Sequence, residues 1–157
     1  MNILELSIYP EPILRLQADP VLHVGEHEQR LLKSMFKSMW NWNGVGLAAP
    51  QVGFSSCLIV AEAEGVKLAL ANPEVLESKG FDTMVEGCLS LPDQAVNISR
   101  AFSIWVRALD IENREVELKF EGFLARIVQH EIDHLNGKLI IDYGSAMPRQ
   151  VERWDEL

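Results

Sequence analysis

The chain has 157 residues, of which 48% are hydrophobic and 24% charged, and its 14 basic and 23 acidic side chains leave a net charge of −9. That length suits one domain spanning residues 1–157, able to bury its own core, and the composition excludes a disordered or fibrous chain. The acidic balance speaks against nucleic acid or an anionic membrane face as partner. Two cysteines, Cys57 and Cys88, are too few for a disulfide scaffold, and no basic stretch followed by an apolar core opens the chain. No run approaches 18 consecutive apolar residues. The expectation is a soluble intracellular domain.

Residues 8–20 hold three prolines and read as an extended, turn-rich entry. Leu31, Leu32, Met35, Phe36, Met39 and Trp40 then recur at helical spacing, predicting a helix over Glu26–Trp42. Glu26 and Glu28 suit its N-terminus, and Asn43-Gly44 is its stop. Ser56–Ala63 and Lys67–Ala71 are apolar runs around Glu64-Gly65, a hairpin signal. Phe102–Ala108 and Val116–Phe120 alternate in polarity around the loop Asp110–Arg114, predicting a second hairpin. A second helix is predicted over Glu121–Asn136, stopped by Gly137, and Leu139–Ile141 reads as a short buried strand or turn. The polar tail Gly144–Leu157 offers at most one helical turn's apolar edge at Val151 and Trp154. Strands between two helices indicate an α+β fold.

The chemistry concentrates in His130-Glu131-Ile132-Asp133-His134. On a helix, residues four apart share a face, so both imidazoles can reach one divalent metal. Glu131 lies about 100° around the helix, beside the metal, where its carboxylate can take a proton from water. Two histidines leave a third ligand open. A histidine six positions on would serve, but that position is Ile140. Glu152 or Glu156 could supply a carboxylate. Cys88, in Val85-Glu86-Gly87-Cys88-Leu89-Ser90-Leu91-Pro92, could supply a thiolate, although a buried cysteine is often only a small apolar side chain. The third feature is the small-residue run Gly44–Gly53, which lets an extended peptide approach its backbone, with Gln51 as an amide donor for a developing oxyanion.

Three motifs in order, Gly44-Val-Gly-Leu-Ala-Ala-Pro-Gln51, Glu86-Gly-Cys-Leu-Ser90 and Gln129-His-Glu-Ile-Asp-His134, together resemble the peptide deformylases. The opening Ile8-Tyr-Pro-Glu-Pro-Ile-Leu-Arg15 is also similar to that family's N-terminal segment, so the resemblance runs from about Ile8 to Asp142. It implies small antiparallel sheets packed around a central helix that carries the His-Glu-x-x-His motif. It implies one divalent metal held by Cys88, His130 and His134, with Fe(II) the working metal and Zn, Ni or Co able to replace it. It implies hydrolysis of the N-formyl group from the initiator methionine of nascent polypeptides, with Glu131 as the proton carrier. Gln51 and the backbone N–H of Leu89 would stabilise the oxyanion, and Gly46 would pair with the substrate main chain.

Val45, Met84, Phe123 and Ile127 are the candidates for the methionine pocket. Asp133 is expected to face away from the two histidines toward a buried arginine such as Arg100, or else toward solvent. Glu86 is expected to orient a ligand or anchor its loop, and Ser90 to cap a turn. The sequence departs from common bacterial members at Ala95, where many carry a basic residue, and in the short stretch after Tyr143. Many relatives continue there into a helix linked to ribosome docking, so ribosome association is not expected to follow from the resemblance. The implied compartment is the cytoplasm of a bacterium or of a phage-infected host.

Overall fold

A computed structural model describes residues 3–145 and 147–148. The first helical pattern folds as α1, Glu26–Asn41, one residue shorter than predicted, and buries Leu31, Leu32, Met35, Phe36 and Met39. Glu28 accepts the N–H of Gly25 at 3.0 Å, which satisfies one of the donors left over at a helix start. Asn43 turns the chain out with φ of 57°, a left-handed conformation that asparagine tolerates, and Gly44 N–H caps Met39 O at 2.9 Å. The second pattern folds as α2, Gly122–Leu135. Gly137 ends it with φ of 71°, and a Cβ there would stand 2.5 Å from Arg15 O, so the entry segment crosses at a point where only glycine fits.

The described residues form eight strands in chain order: β1 (Gly46–Ala48), β2 (Leu58–Ala63), β3 (Val66–Lys79), β4 (Asp82–Cys88), β5 (Leu91–Arg100), β6 (Ser103–Leu109), β7 (Glu115–Glu121) and β8 (Met147–Pro148). They form an antiparallel sheet in the order β1-β2-β3-β6-β7 and a smaller one in the order β4-β5-β8. Both predicted hairpins are present, with Ala63 opposite Val66 and Leu109 opposite Glu115.

Burial patterns explain the strand compositions. Leu58, Ile59, Val60 and Ala61 of β2 are all buried because both faces of the sheet are covered there. Ile59 and Ala61 pack with α2, and Leu58 and Val60 pack with α1. At the far edge, β7 keeps the alternation of a strand covered on one side, with Val116, Leu118 and Phe120 turned to the core. Among the α2 side chains, Leu124, Ile127, Val128 and Leu135 are buried in the central cluster. Each contributes about 1.5–3 kcal/mol, enough for the same helix to carry polar groups inside.

Three elements differ from expectation. β3 runs on to Lys79 instead of stopping at Ala71, because register shifts on either side of the Glu74–Val75 step let the strand pass Pro73 and stay paired with β6. β4 and β5 form a hairpin with no clear signature in the sequence, since Gly87, Ser90 and Pro92 interrupt its alternation. Leu139–Ile141 is neither strand nor simple turn: Ile140–Asp142 is a short 3₁₀ helix. Among the described residues no helix is long and apolar enough to cross a membrane.

Candidate metal centre

α2 brings His130 and His134 onto one face, with ring centroids 5.0 Å apart and edge to face. The end of β4 brings the third donor. A register shift between Glu86 and Cys88 turns the strand inward, so Glu86, Gly87 and Cys88 are all buried. Cys88 Sγ then lies 3.4 Å from His134 Nε2. One donor atom from each of Cys88, His130 and His134 falls within 4.8 Å of the others, and all three residues are buried. Among the described residues, Cys88 is the third donor group that meets the two histidines; Glu152 and Glu156, like Val151 and Trp154, lie outside those residues.

The unpartnered atoms test whether this set fits a metal. His130 Nε2, His134 Nδ1 and both carboxylate oxygens of Glu131 are buried without a hydrogen-bond partner. Each such atom costs about 1–3 kcal/mol unless something else satisfies it, and more for a charged group. A divalent cation answers the His130 nitrogen directly, and a thiolate with two imidazoles suits Fe(II) and Zn. Burial holds the His134 ring well below the usual imidazole value, which keeps it in the neutral form that ligates. Burial also opposes charge on His130, but Cys88, Glu131 and Glu86 outweigh it and push that ring up to about 10. A proton and a metal therefore compete for one nest of negative groups. Burial raises the Glu131 carboxyl to about 7.

Behind the donors stands a densely hydrogen-bonded cluster. Glu86 Oε1 accepts from His130 Nδ1 at 2.9 Å and from Arg100 Nη2 at 2.9 Å. Glu86 Oε2 accepts from Arg100 Nε at 2.6 Å and from Arg126 Nη1 at 2.5 Å. With Nδ1 committed to Glu86, the ring presents Nε2 toward the site. Burial alone would raise the Glu86 carboxyl, yet His130 and Arg100 hold it far below the ordinary carboxylate range. Arg100 Nη1 reaches on to Asp133 Oδ2 at 2.9 Å, and Tyr143 Oη donates to the same oxygen at 2.5 Å. The predicted Asp133–Arg100 pair is present, and Glu86 both holds the His130 ring and anchors its own strand.

The remaining candidates come from the small-residue run and the core. A Cβ at Gly46 would stand 2.5 Å from Glu131 Oε2 and 2.7 Å from Ile127 Cγ2, so β1 lies directly against the carboxylate. Gln51, fully buried in the 3₁₀ turn Ala49–Val52, has its amide held at both ends. Its Oε1 accepts from Ala48 N–H at 3.0 Å, and its Nε2 donates to Ser90 Oγ at 3.1 Å and faces Cys88 Sγ at 3.7 Å. Ser90 thus positions Gln51, beyond the turn-capping expected of it. Leu89 sits in the turn from β4 to β5. Val45 and Phe123 are partly buried against the cluster that contains Ile127. Met84 lies on β4, 40% exposed and opposite Ile98. Ala95 is buried and pairs with Met147 of β8.

Sequence reasoning missed Arg126, the bulkiest fully buried side chain of the described residues. Its one signal was position: four residues before His130, on the same helix face.

Comparison with known proteins agrees with this geometry. A family model described as "Polypeptide deformylase" matches residues 3–150. A peptide deformylase of Halothermothrix orenii is 45% identical over 145 residues, covering 90% of this chain and 94% of the relative. The crystal structure of peptide deformylase from Thermotoga maritima superposes with a TM-score of 0.89 at 39% identity, over 92% of this chain and 99% of that one. A class I type b peptide deformylase from Acinetobacter baumannii, solved with Met-Ala-Ser bound, gives 0.88 at 36% identity over 91% and 99%.

Proposed function

This chain belongs to the polypeptide deformylase family, and from that premise we propose which of its residues carry the reaction. It is a metal-dependent hydrolase that removes the N-formyl group from nascent polypeptides. In our reading Cys88, His130 and His134 hold the metal, and the observation that carries it is the meeting of those three buried donors beside an unpartnered Glu131. Fe(II) is the metal we assign, with Zn, Ni and Co as substitutes that the same donors accept. When bound, the metal supplies a Lewis acid that polarises the formyl group and lowers the pKa of water.

The chain's own residues do the rest. Glu131 accepts a proton from the attacking water and delivers it to the leaving nitrogen, so that formamide and water become formate and a free amine. Its buried carboxyl, raised to about 7, is suited to both halves of that transfer. The Gln51 Nε2–H and the Leu89 N–H donate to the formyl oxygen as it gains negative charge, and the Gln51 amide meets that charge already oriented by Ala48 and Ser90. Gly46 on β1 pairs with the substrate main chain, strand to strand. Val45, Met84, Phe123 and Ile127 surround the methionine side chain. The Acinetobacter relative's bound peptide supports a methionine-first substrate, since Met-Ala-Ser is formyl-Met-Ala-Ser without its formyl group. The compartment we assign is the cytoplasm, where formylated nascent chains emerge.

Formate release from formyl-Met-Ala-Ser by anaerobically purified, metal-loaded protein tests this reading. Turnover well above that of a Glu131→Gln variant is expected. Equal background turnover in the two overturns the role given to Glu131.

A further inference from the structure

Glu86 is the hinge between the metal donors and the rest of the interior, and two guanidiniums hold it. Arg100 comes from β5 and grips both carboxylate oxygens. Arg126 comes from α2 itself, one turn before His130, and is only 1% exposed. It places Nη1 on Glu86 Oε2 at 2.5 Å and on Ile98 O at 2.9 Å, and Nη2 on Asp82 O at 2.5 Å. One side chain thus ties α2 to both strands of the small hairpin and to the carboxylate that receives His130 Nδ1–H.

A fully buried arginine is costly, and an apolar residue in the same slot would pack α2 against β4 and β5 at no desolvation penalty. Simple cohesion therefore does not require it. What it adds is direction. Arg100 divides its charge between Glu86 and Asp133, so the second guanidinium completes the countercharge on Glu86 as well as its geometry. It fixes the rotation of the carboxylate plane by holding Oε2 while Oε1 stays turned to His130. Without that hold, Oε2 keeps only Arg100 Nε, and the carboxylate that receives His130 Nδ1–H is fixed less firmly.

We propose that Arg126 is a positioning residue for metal retention, acting through Glu86 to keep His130 Nε2 aimed at the cation. The inference rests on the reading that Cys88, His130 and His134 hold the metal. Partners of ligating histidines typically change metal affinity about 10–100-fold when removed. Arg126→Met should therefore release the metal about 10-fold faster than wild type.

The test uses the Ni(II)-loaded protein and follows metal release to a chromogenic chelator. Wild type, Arg126→Met, Glu86→Gln and the double variant are compared. Both single variants should release Ni(II) about 10-fold faster, and the double variant no faster than Glu86→Gln alone, because Arg126 acts only through Glu86. Release from Arg126→Met at the wild-type rate overturns the proposal. So does a double variant in which the two effects multiply, which would make Arg126 a general stabiliser. If Arg126→Met does not fold, Arg126→Lys takes its place. Its single ammonium cannot hold Glu86, Ile98 O and Asp82 O together, so a several-fold faster release is expected and an unchanged rate refutes. Failure of the underlying reading is distinct: wild type would then bind no stoichiometric Ni(II), or Cys88→Ala would retain it.

Discussion

Two buried polar clusters sit back to back around α2, and they are built on opposite rules. In the rear cluster, Glu86, Arg100, Asp133 and Tyr143 close a network of charge-assisted hydrogen bonds, and Arg126 joins it with only its Nε unpartnered. In the front cluster, one helical face away, His130 Nε2, His134 Nδ1 and both oxygens of Glu131 have no partner. In our reading the fold satisfies the polar groups it uses as scaffold and leaves His130 Nε2 open for a cation and the Glu131 carboxylate open for a water and a substrate. Burial by itself does not separate the two kinds, since Glu86 and Glu131 are about equally buried. Hydrogen-bond completeness does.

Substitutions should divide along the same line, front-cluster changes costing rate and rear-cluster changes costing stability. The largest effect is expected at Glu131. Glu131→Gln should lower kcat about 10²–10⁴-fold while metal content stays near one per chain and the melting temperature does not fall, because no partner is lost. A drop in melting temperature of several degrees with little change in kcat would place Glu131 in the scaffold instead. Arg100→Met should do the reverse. It leaves Glu86 and Asp133 short of their shared cation and should cost about 3–5 kcal/mol in denaturant unfolding, a figure that an unchanged midpoint would refute.

Gln51→Ala sharpens the boundary, since Gln51 is buried and bonded yet faces Cys88. Its removal should lower kcat about 10²-fold or more with KM little changed, the mark of a donor used mainly on developing charge. A change confined to KM would make it a binding residue. The smallest effect belongs to the surface pair that pins the entry segment, Arg15 and Asp142, 2.6 Å apart and partly solvent-exposed. Arg15 holds the Asp142 carboxyl below its usual value, so the pair's contribution is complete above the ordinary carboxylate range and is lost as pH falls through the lowered value. Asp142→Asn should cost under about 1 kcal/mol at neutral pH, and the gap from wild type should close in acid. A gap that widens in acid would contradict the assignment.

The sequence was most readable where one period dominates. The apolar stripe of α1 and the alternation of β6 and β7 predicted all three elements to within a residue or two. The His130–His134 spacing announced the site because four residues is one turn of α2. The β4–β5 hairpin stayed hidden because the residues that build the site, Gly87, Cys88 and Ser90, are those that break a strand pattern. The preference for Cys88 over Glu152 and Glu156 rests mainly on the resemblance, helped by the weak patterning around the two glutamates, since no spacing rule says which distant segment a fold will bring to a helix. Arg126 was unreadable for a related reason: a charge on a helix normally marks its solvated face, and only the location of Glu86 in space shows that this one is interior.

X-ray absorption at the metal edge of the Ni(II)-loaded protein tests the central claim most directly. The account predicts one sulfur and two imidazole nitrogens around the metal in the wild type, with the sulfur shell gone in Cys88→Ala. A wild-type spectrum without sulfur, or a variant that keeps it, would contradict the account.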